Sequence, residues 1–176
     1  MNEAEIEQCL KSHPLTAGIF QGVFARDEIN KVSGNGKKLF VINTDKRKEP
    51  GEHWVLCFWP TSDVLPIYFD NYGFPPLHEE FYYFLLKNDP SFKYNRVQLQ
   101  DINSSVCGHY TTYFATQLCA GHSIEEIRKK HFSTVNQKMN DMFITTLFRK
   151  EFGYPIVRYK SNRKLMCCQC LCHVRE

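Results

Sequence analysis

A chain of 176 residues that is 43% hydrophobic and 14% aromatic has the length and composition of one globular domain, which excludes a disordered or fibrous protein. Its net charge of +3 is a mild excess that allows contact with nucleic acid without requiring it. No apolar run approaches the roughly 20 residues of a membrane span, and the acidic, polar opening "MNEAEIEQCLKSH" is unlike a secretory signal peptide.

In chain order, "NEAEIEQCLKS" predicts a short amphipathic helix, with Ile6 and Leu10 on one face and Asn2 and Glu5 in capping-box register. "HPLTAGIFQGVFARDEIN", broken by Pro14, Gly18 and Gly22, reads as loop with a short apolar docking segment, and "SGNGKK" as a turn. Three strands follow in "KLFVINT", "HWVLCFW" and "DVLPIYFD", with Pro66 pointing to an edge or a bulge in the third. "LHEEFYYFLLKN" spaces Leu77, Phe81, Phe84 and Leu85 as a helix does, and "YNRVQLQ" alternates like a fourth strand. "CGHYTTYFATQLCAG" predicts a helix whose threonines and aromatics need burial to hold it. "SIEE" opens another helix with a Ser123–Glu126 capping box. "TVNQKMNDMFITTLFRKEFG" predicts a last helix, capped by Thr134 and Gln137 and stopped by Gly153. This order of elements makes a single α+β domain over residues 1–176, with residues 161–176 as a basic, cysteine-rich tail.

Without a leader the expectation is an intracellular protein with reduced thiols. Cys9, Cys57, Cys107 and Cys119 are scattered and four more crowd into "CCQCLCH", so the spacing is not that of a disulfide framework. Cys107 stands apart because it starts a predicted helix beside Gly108. Unpaired N–H groups and the helix dipole favour a thiolate there, and the glycine lets a substrate approach. A thiolate nucleophile needs an imidazole. His53, at the start of a strand, is the best placed of the histidines. Asp70 ends the neighbouring strand and would orient the ring, whereas Asp63 belongs to the turn between them. The backbone N–H of Cys107 and the side chain of Gln100 or Gln98 would supply the oxyanion donors.

Three blocks in this order, "FVINTDKRKEPGEHWVLCFW", "IYFDNYGF" and "QDINSSVCGHY", resemble the adenain-like cysteine proteases, the adenovirus maturation protease family, which is related to the SUMO and ubiquitin-like-specific proteases. The resemblance covers about residues 39–110 and the helix that follows. It implies a mixed central sheet of about four or five strands flanked by helices, with the nucleophile at a helix N-terminus. It also implies the roles: His53 as general base and imidazolium, Asp70 as the third member, Gln100 rather than Gln98 in the oxyanion hole, and Cys107 as nucleophile. Trp54 and Gly108 would line the substrate cleft and favour glycine-containing cleavage sites. No cofactor is required for such chemistry.

The implied substrates are viral structural precursors cleaved during virion maturation, which places the enzyme in the host nucleus and the virion, as a monomer with no membrane partner. An activating peptide or DNA is implied by family analogy. However, "KNDPSFKYNRV" lacks the cysteine that tethers the activating peptide of the adenovirus enzymes. Two alternatives remain: a peptidase that removes ubiquitin-like modifiers, and a non-enzymatic DNA- or capsid-binding module. The tail thiols Cys167, Cys168, Cys170 and Cys172 lack the paired Cys-x-x-Cys spacing of a zinc site, so no metal is expected there.

Overall fold

"KLFVIN" and "WVLCFW" are apolar without alternation, the pattern of strands covered on both faces. In the computed structural model, which describes residues 1–34, 36–61, 64–88 and 91–153, they form β2 (Lys38–Asn43) and β3 (Trp54–Trp59), and every residue of both is buried. They pair antiparallel from Lys38 opposite Trp59 to Asn43 opposite Trp54. β4 (Ile67–Phe69) is antiparallel to β3, while β1 (Phe20–Phe24) runs parallel to β2 and β5 (Lys93–Tyr94) parallel to β4. The result is a five-stranded mixed sheet in the order β1-β2-β3-β4-β5, in an α+β domain.

Alternation along β3 sorts its side chains into two layers. Trp54, Leu56 and Phe58 pack with residues of α1 (Glu3–Ser12), α3 (Cys107–Cys119), α4 (Ile124–His131) and α5 (Gln137–Phe152). Val55, Cys57 and Trp59 pack with Ile29 of a 3-10 helix (Arg26–Lys31) and with Phe81 and Leu85 of α2 (Glu79–Asn88). α3 lies across β3 with ten of its thirteen residues buried. That burial holds a segment of weak intrinsic helix propensity. Phe114 stacks on Phe69 with ring centroids 3.9 Å apart, and the buried Thr111 hydroxyl donates within its own helix to the Cys107 carbonyl at 2.9 Å.

The capping boxes at Asn2–Glu5 and Ser123–Glu126 and the left-handed Gly153 stop form as the sequence predicts. Four local features differ. "IFQGVF" is a strand and not a loop, because β2 offers it a pairing edge and Gly22, at φ 137°, absorbs the register shift between Phe20 and Val23. "YNRVQLQ" contributes only Tyr94 to β5. The Asn95 side chain donates to the carbonyls of Asp70 and Val97, at 2.9 and 2.7 Å, which turns the chain out of the ladder. α5 is capped by Asn136, whose side chain accepts from the Met139 N–H, and not by Thr134. Leu77 precedes α2 and is exposed.

Candidate active site

The Thr44 N–H donates to the His53 carbonyl at 2.8 Å, which carries the β2–β3 hairpin one residue beyond its last ladder pair and fixes His53 at the strand's entrance. The loop before it is braced. The Gly51 N–H donates to Asp45 Oδ2 at 2.9 Å, and Arg47 bridges to Glu3 at 2.7 Å and to Glu28. The Arg47 guanidinium holds the Glu28 carboxyl down at about 2. Asp70 follows β4 directly. Because β3 and β4 are antiparallel neighbours, the start of one lies beside the end of the other. His53 Nε2 meets Asp70 Oδ1 at 2.9 Å, and both residues are buried.

Burial alone would push the His53 imidazole down. The hydrogen bond to Asp70, and the negative charge that Asp70 and Cys107 place beside the ring, outweigh it and raise the ring to about 10. His109, two residues beyond Cys107, has the opposite fate. Burial and the nearby chain amine press it down to about 3, and its ring packs edge-on against Phe148. One of these two histidines is therefore held as a cation and the other as a neutral ring.

Cys107 is the first residue of α3. Helices α1, α4 and α5 are capped by the side chains of Asn2, Ser123 and Asn136. The α3 terminus has no side-chain cap at Val106 and no acidic residue in its first turn. Its positive end is thus not neutralised by a carboxylate, which is the electrostatic setting that favours a thiolate.

Gln100 is buried in a fixed frame. Its Oε1 accepts from Asn71 Nδ2 at 2.6 Å, and its Nε2 donates to the Ser104 carbonyl at 2.7 Å and to the Tyr72 hydroxyl at 3.0 Å. Gln98 is exposed, with its amide turned back onto the Gln100 carbonyl. The frame depends on a close approach at Gly73. This residue has φ 80°, and a Cβ there would stand 2.8 Å from the Val97 carbonyl carbon and 2.9 Å from its nitrogen. Gly73→Ala is expected to destabilise the fold by about 3 kcal/mol, measured by urea denaturation, and to misplace Gln100 along with the 97–100 backbone.

The structure therefore brings His53, Asp70, Gln100 and Cys107 to one junction of β3, β4 and α3. Trp54 is 1% exposed, and its indole N–H donates to the Met1 carbonyl at 3.1 Å. Gly108 is buried within α3. Neither residue lines an open cleft in this conformation. Asp63 and the tail cysteines lie outside the described residues.

Sequence reasoning missed the supporting residues. Asn71 and Tyr72 sit inside "FDNYGF", where the run of acid, polar, aromatic and glycine is the local signal. Asp141 has no local signal. It reaches from α5 to accept from the Asp101 N–H at 3.1 Å and the Tyr110 hydroxyl at 2.9 Å, clasping the loop that leads to Cys107.

A cavity of about 730 Å³ is lined by Phe58, Tyr94, Leu118, Ile124 and Arg128 and by none of the four junction residues. Among the described residues no group of three or more His, Cys, Asp or Glu could hold a metal ion, and no helix is long and apolar enough to cross a membrane.

No family model matches the chain. A protein of Acanthamoeba polyphaga mimivirus named "Putative thiol protease" is 27% identical to it over 114 residues. The chain is thus similar to a viral protein that carries the name of a thiol protease. The match covers 58% of this chain and 37% of the viral protein, so the chain spans well under half of that relative's length.

Proposed function

We propose that this chain is a cysteine endopeptidase with an adenain-type fold, and that its substrates are structural precursor proteins cleaved at glycine-containing sites during virion maturation. The observation that carries this reading is the junction itself: a thiol on an uncapped helix tip, electrostatically coupled to an imidazole that a buried carboxylate holds. The similarity to a viral protein named as a thiol protease supports both the chemistry and the viral setting.

In the mechanism the Cys107 thiolate attacks the scissile carbonyl carbon. The resulting oxyanion accepts from the Cys107 backbone N–H and from Gln100 Nε2. The His53 imidazolium gives its proton to the departing amine as the C–N bond breaks, leaving a thioester. The neutral ring then takes a proton from water, whose oxygen attacks the thioester. The acid product leaves, and the thiolate–imidazolium pair is restored. Asp70 accepts from the ring's Nε2–H throughout and keeps the other nitrogen turned to the sulfur.

A panel of glycine-containing peptides incubated with wild type and with Cys107→Ala tests the reading. Cleavage by the wild type that is absent in the variant supports it, and no cleavage by either would sink it. Gln100→Ala is expected to lower kcat by roughly 10²–10³-fold with a smaller change in KM, as for a lost oxyanion donor.

A further inference from the structure

Cys107 has no solvent-exposed surface, and His53 is 9% exposed. A peptide carbonyl must nonetheless reach the sulfur, so something covering the junction has to move. Tyr72 is only partly buried. Its ring lies over the His53 imidazole with centroids 4.8 Å apart, and its hydroxyl accepts from Gln100 Nε2 at 3.0 Å.

That hydrogen bond occupies the donor the reaction requires. The Gln100 amide cannot be turned the other way, because the atom 2.7 Å from the Ser104 carbonyl oxygen must be an N–H. One of its two N–H bonds is spent there, and Asn71 holds its oxygen. The remaining N–H points at the Tyr72 hydroxyl. An oxyanion is stabilised only about 2.7–3.1 Å from its donor, which is where the tyrosine oxygen already sits.

We propose that Tyr72 is a positioning residue that latches the site closed, its hydroxyl holding the place on Gln100 that the substrate's carbonyl oxygen takes over. This rests on the reading of Cys107 as nucleophile and Gln100 as oxyanion donor. The backbone of Tyr72 is tied down, with its N–H donating to Asp70 Oδ1 at 2.8 Å. In the proposed opening the side chain turns about its own bonds toward the exposed Phe74, whose ring is 6.5 Å away, while the backbone bond to Asp70 stays in place. In the closed state the ring packs the imidazole and the amide stays satisfied. In the open state the substrate's oxygen replaces the hydroxyl on the same N–H.

Two readouts on three variants test the latch: the rate at which iodoacetamide alkylates Cys107, mapped by mass spectrometry, and kcat/KM on a glycine-containing peptide. Tyr72→Phe keeps the ring and removes the latch, so alkylation should rise by roughly two- to tenfold, the weight of one net hydrogen bond, and hydrolysis should rise with it. Gln100→Ala removes the other half of the latch. Its alkylation should rise similarly while its hydrolysis falls by roughly 10²–10³-fold. The double variant should alkylate no faster than either single one, because the two residues act through one bond. A residue with a merely structural role would not move the two readouts in opposite directions at Gln100.

Unchanged alkylation in Tyr72→Phe overturns the latch. So does slower hydrolysis in that variant, which would make the hydroxyl a direct oxyanion donor. In both of those cases hydrolysis still depends on Cys107. Hydrolysis that survives Cys107→Ala overturns the active-site reading and the latch with it.

Discussion

Cys107→Ala should abolish peptide hydrolysis, with a loss of roughly 10⁴-fold or more, the scale seen when a covalent nucleophile is removed. The fold should survive. The cysteine is buried at the tip of α3 against the layer built on Trp54 and Phe69, and alanine is the better helix former. The exchange leaves only a sulfur-sized gap, so thermal unfolding should shift by a few degrees at most. Loss of activity with an intact melting transition separates chemistry from structure. Retained activity would exclude Cys107 as the nucleophile. His53→Ala should match it in activity, because without an imidazole neither the ion pair nor the leaving-group proton is available.

Asp70→Asn is the second large effect, and it is read most clearly against pH. The His53 ring, raised to about 10 by its partners, stays protonated far above the 6.5 of a free imidazole. Burial opposes that charge, while Asp70 and Cys107 sustain it. A proton bound more tightly in the folded state stabilises the fold fully below about pH 6.5. That contribution is lost as pH rises through about 10. Replacing the carboxylate with an amide leaves burial opposed only by Cys107. The alkaline limb of kcat/KM should then move to lower pH, and the stability difference between wild type and variant should be larger near pH 6 than near pH 10. The loss in kcat should be about 10²-fold, short of the ~10⁴-fold seen for the equivalent change in a serine triad, because a thiol ionises more readily than a hydroxyl. A profile identical to wild type, measured by peptide hydrolysis and by urea midpoints across that range, would remove Asp70 from the site.

How much of this was legible beforehand depended on the range over which each signal acts. The α1 and α4 capping boxes, the Gly153 stop and the apolar runs of β2 and β3 are written in residues close together in the chain, and they are readable there. β1 was hidden because its strand character comes from pairing with β2 and its glycines look like breakers until Gly22 is seen to serve a bulge. The end of "YNRVQLQ" reads as strand in the sequence because Asn95 looks like any alternating polar residue until the Asp70 carbonyl is placed beside it. Between Gln98 and Gln100, spacing left a choice. The frame of Asn71, Tyr72 and Ser104 buries one, while the other is exposed.

The sequence by itself determined the kinds of element and the identities of the reactive groups: a thiol at a helix start, an imidazole at a strand start and a carboxylate at a strand end. Each of these is a local choice of residue type at a local position. Only the tertiary structure decided that they meet. The contact of His53 with Asp70 requires β3 and β4 to run antiparallel side by side, and the contact with Cys107 requires α3 to lie across β3. The charge on His53 and the occupied donor of Gln100 were likewise beyond the sequence. Both are set by what is buried next to them, and burial is a property of the packed chain and not of any segment within it.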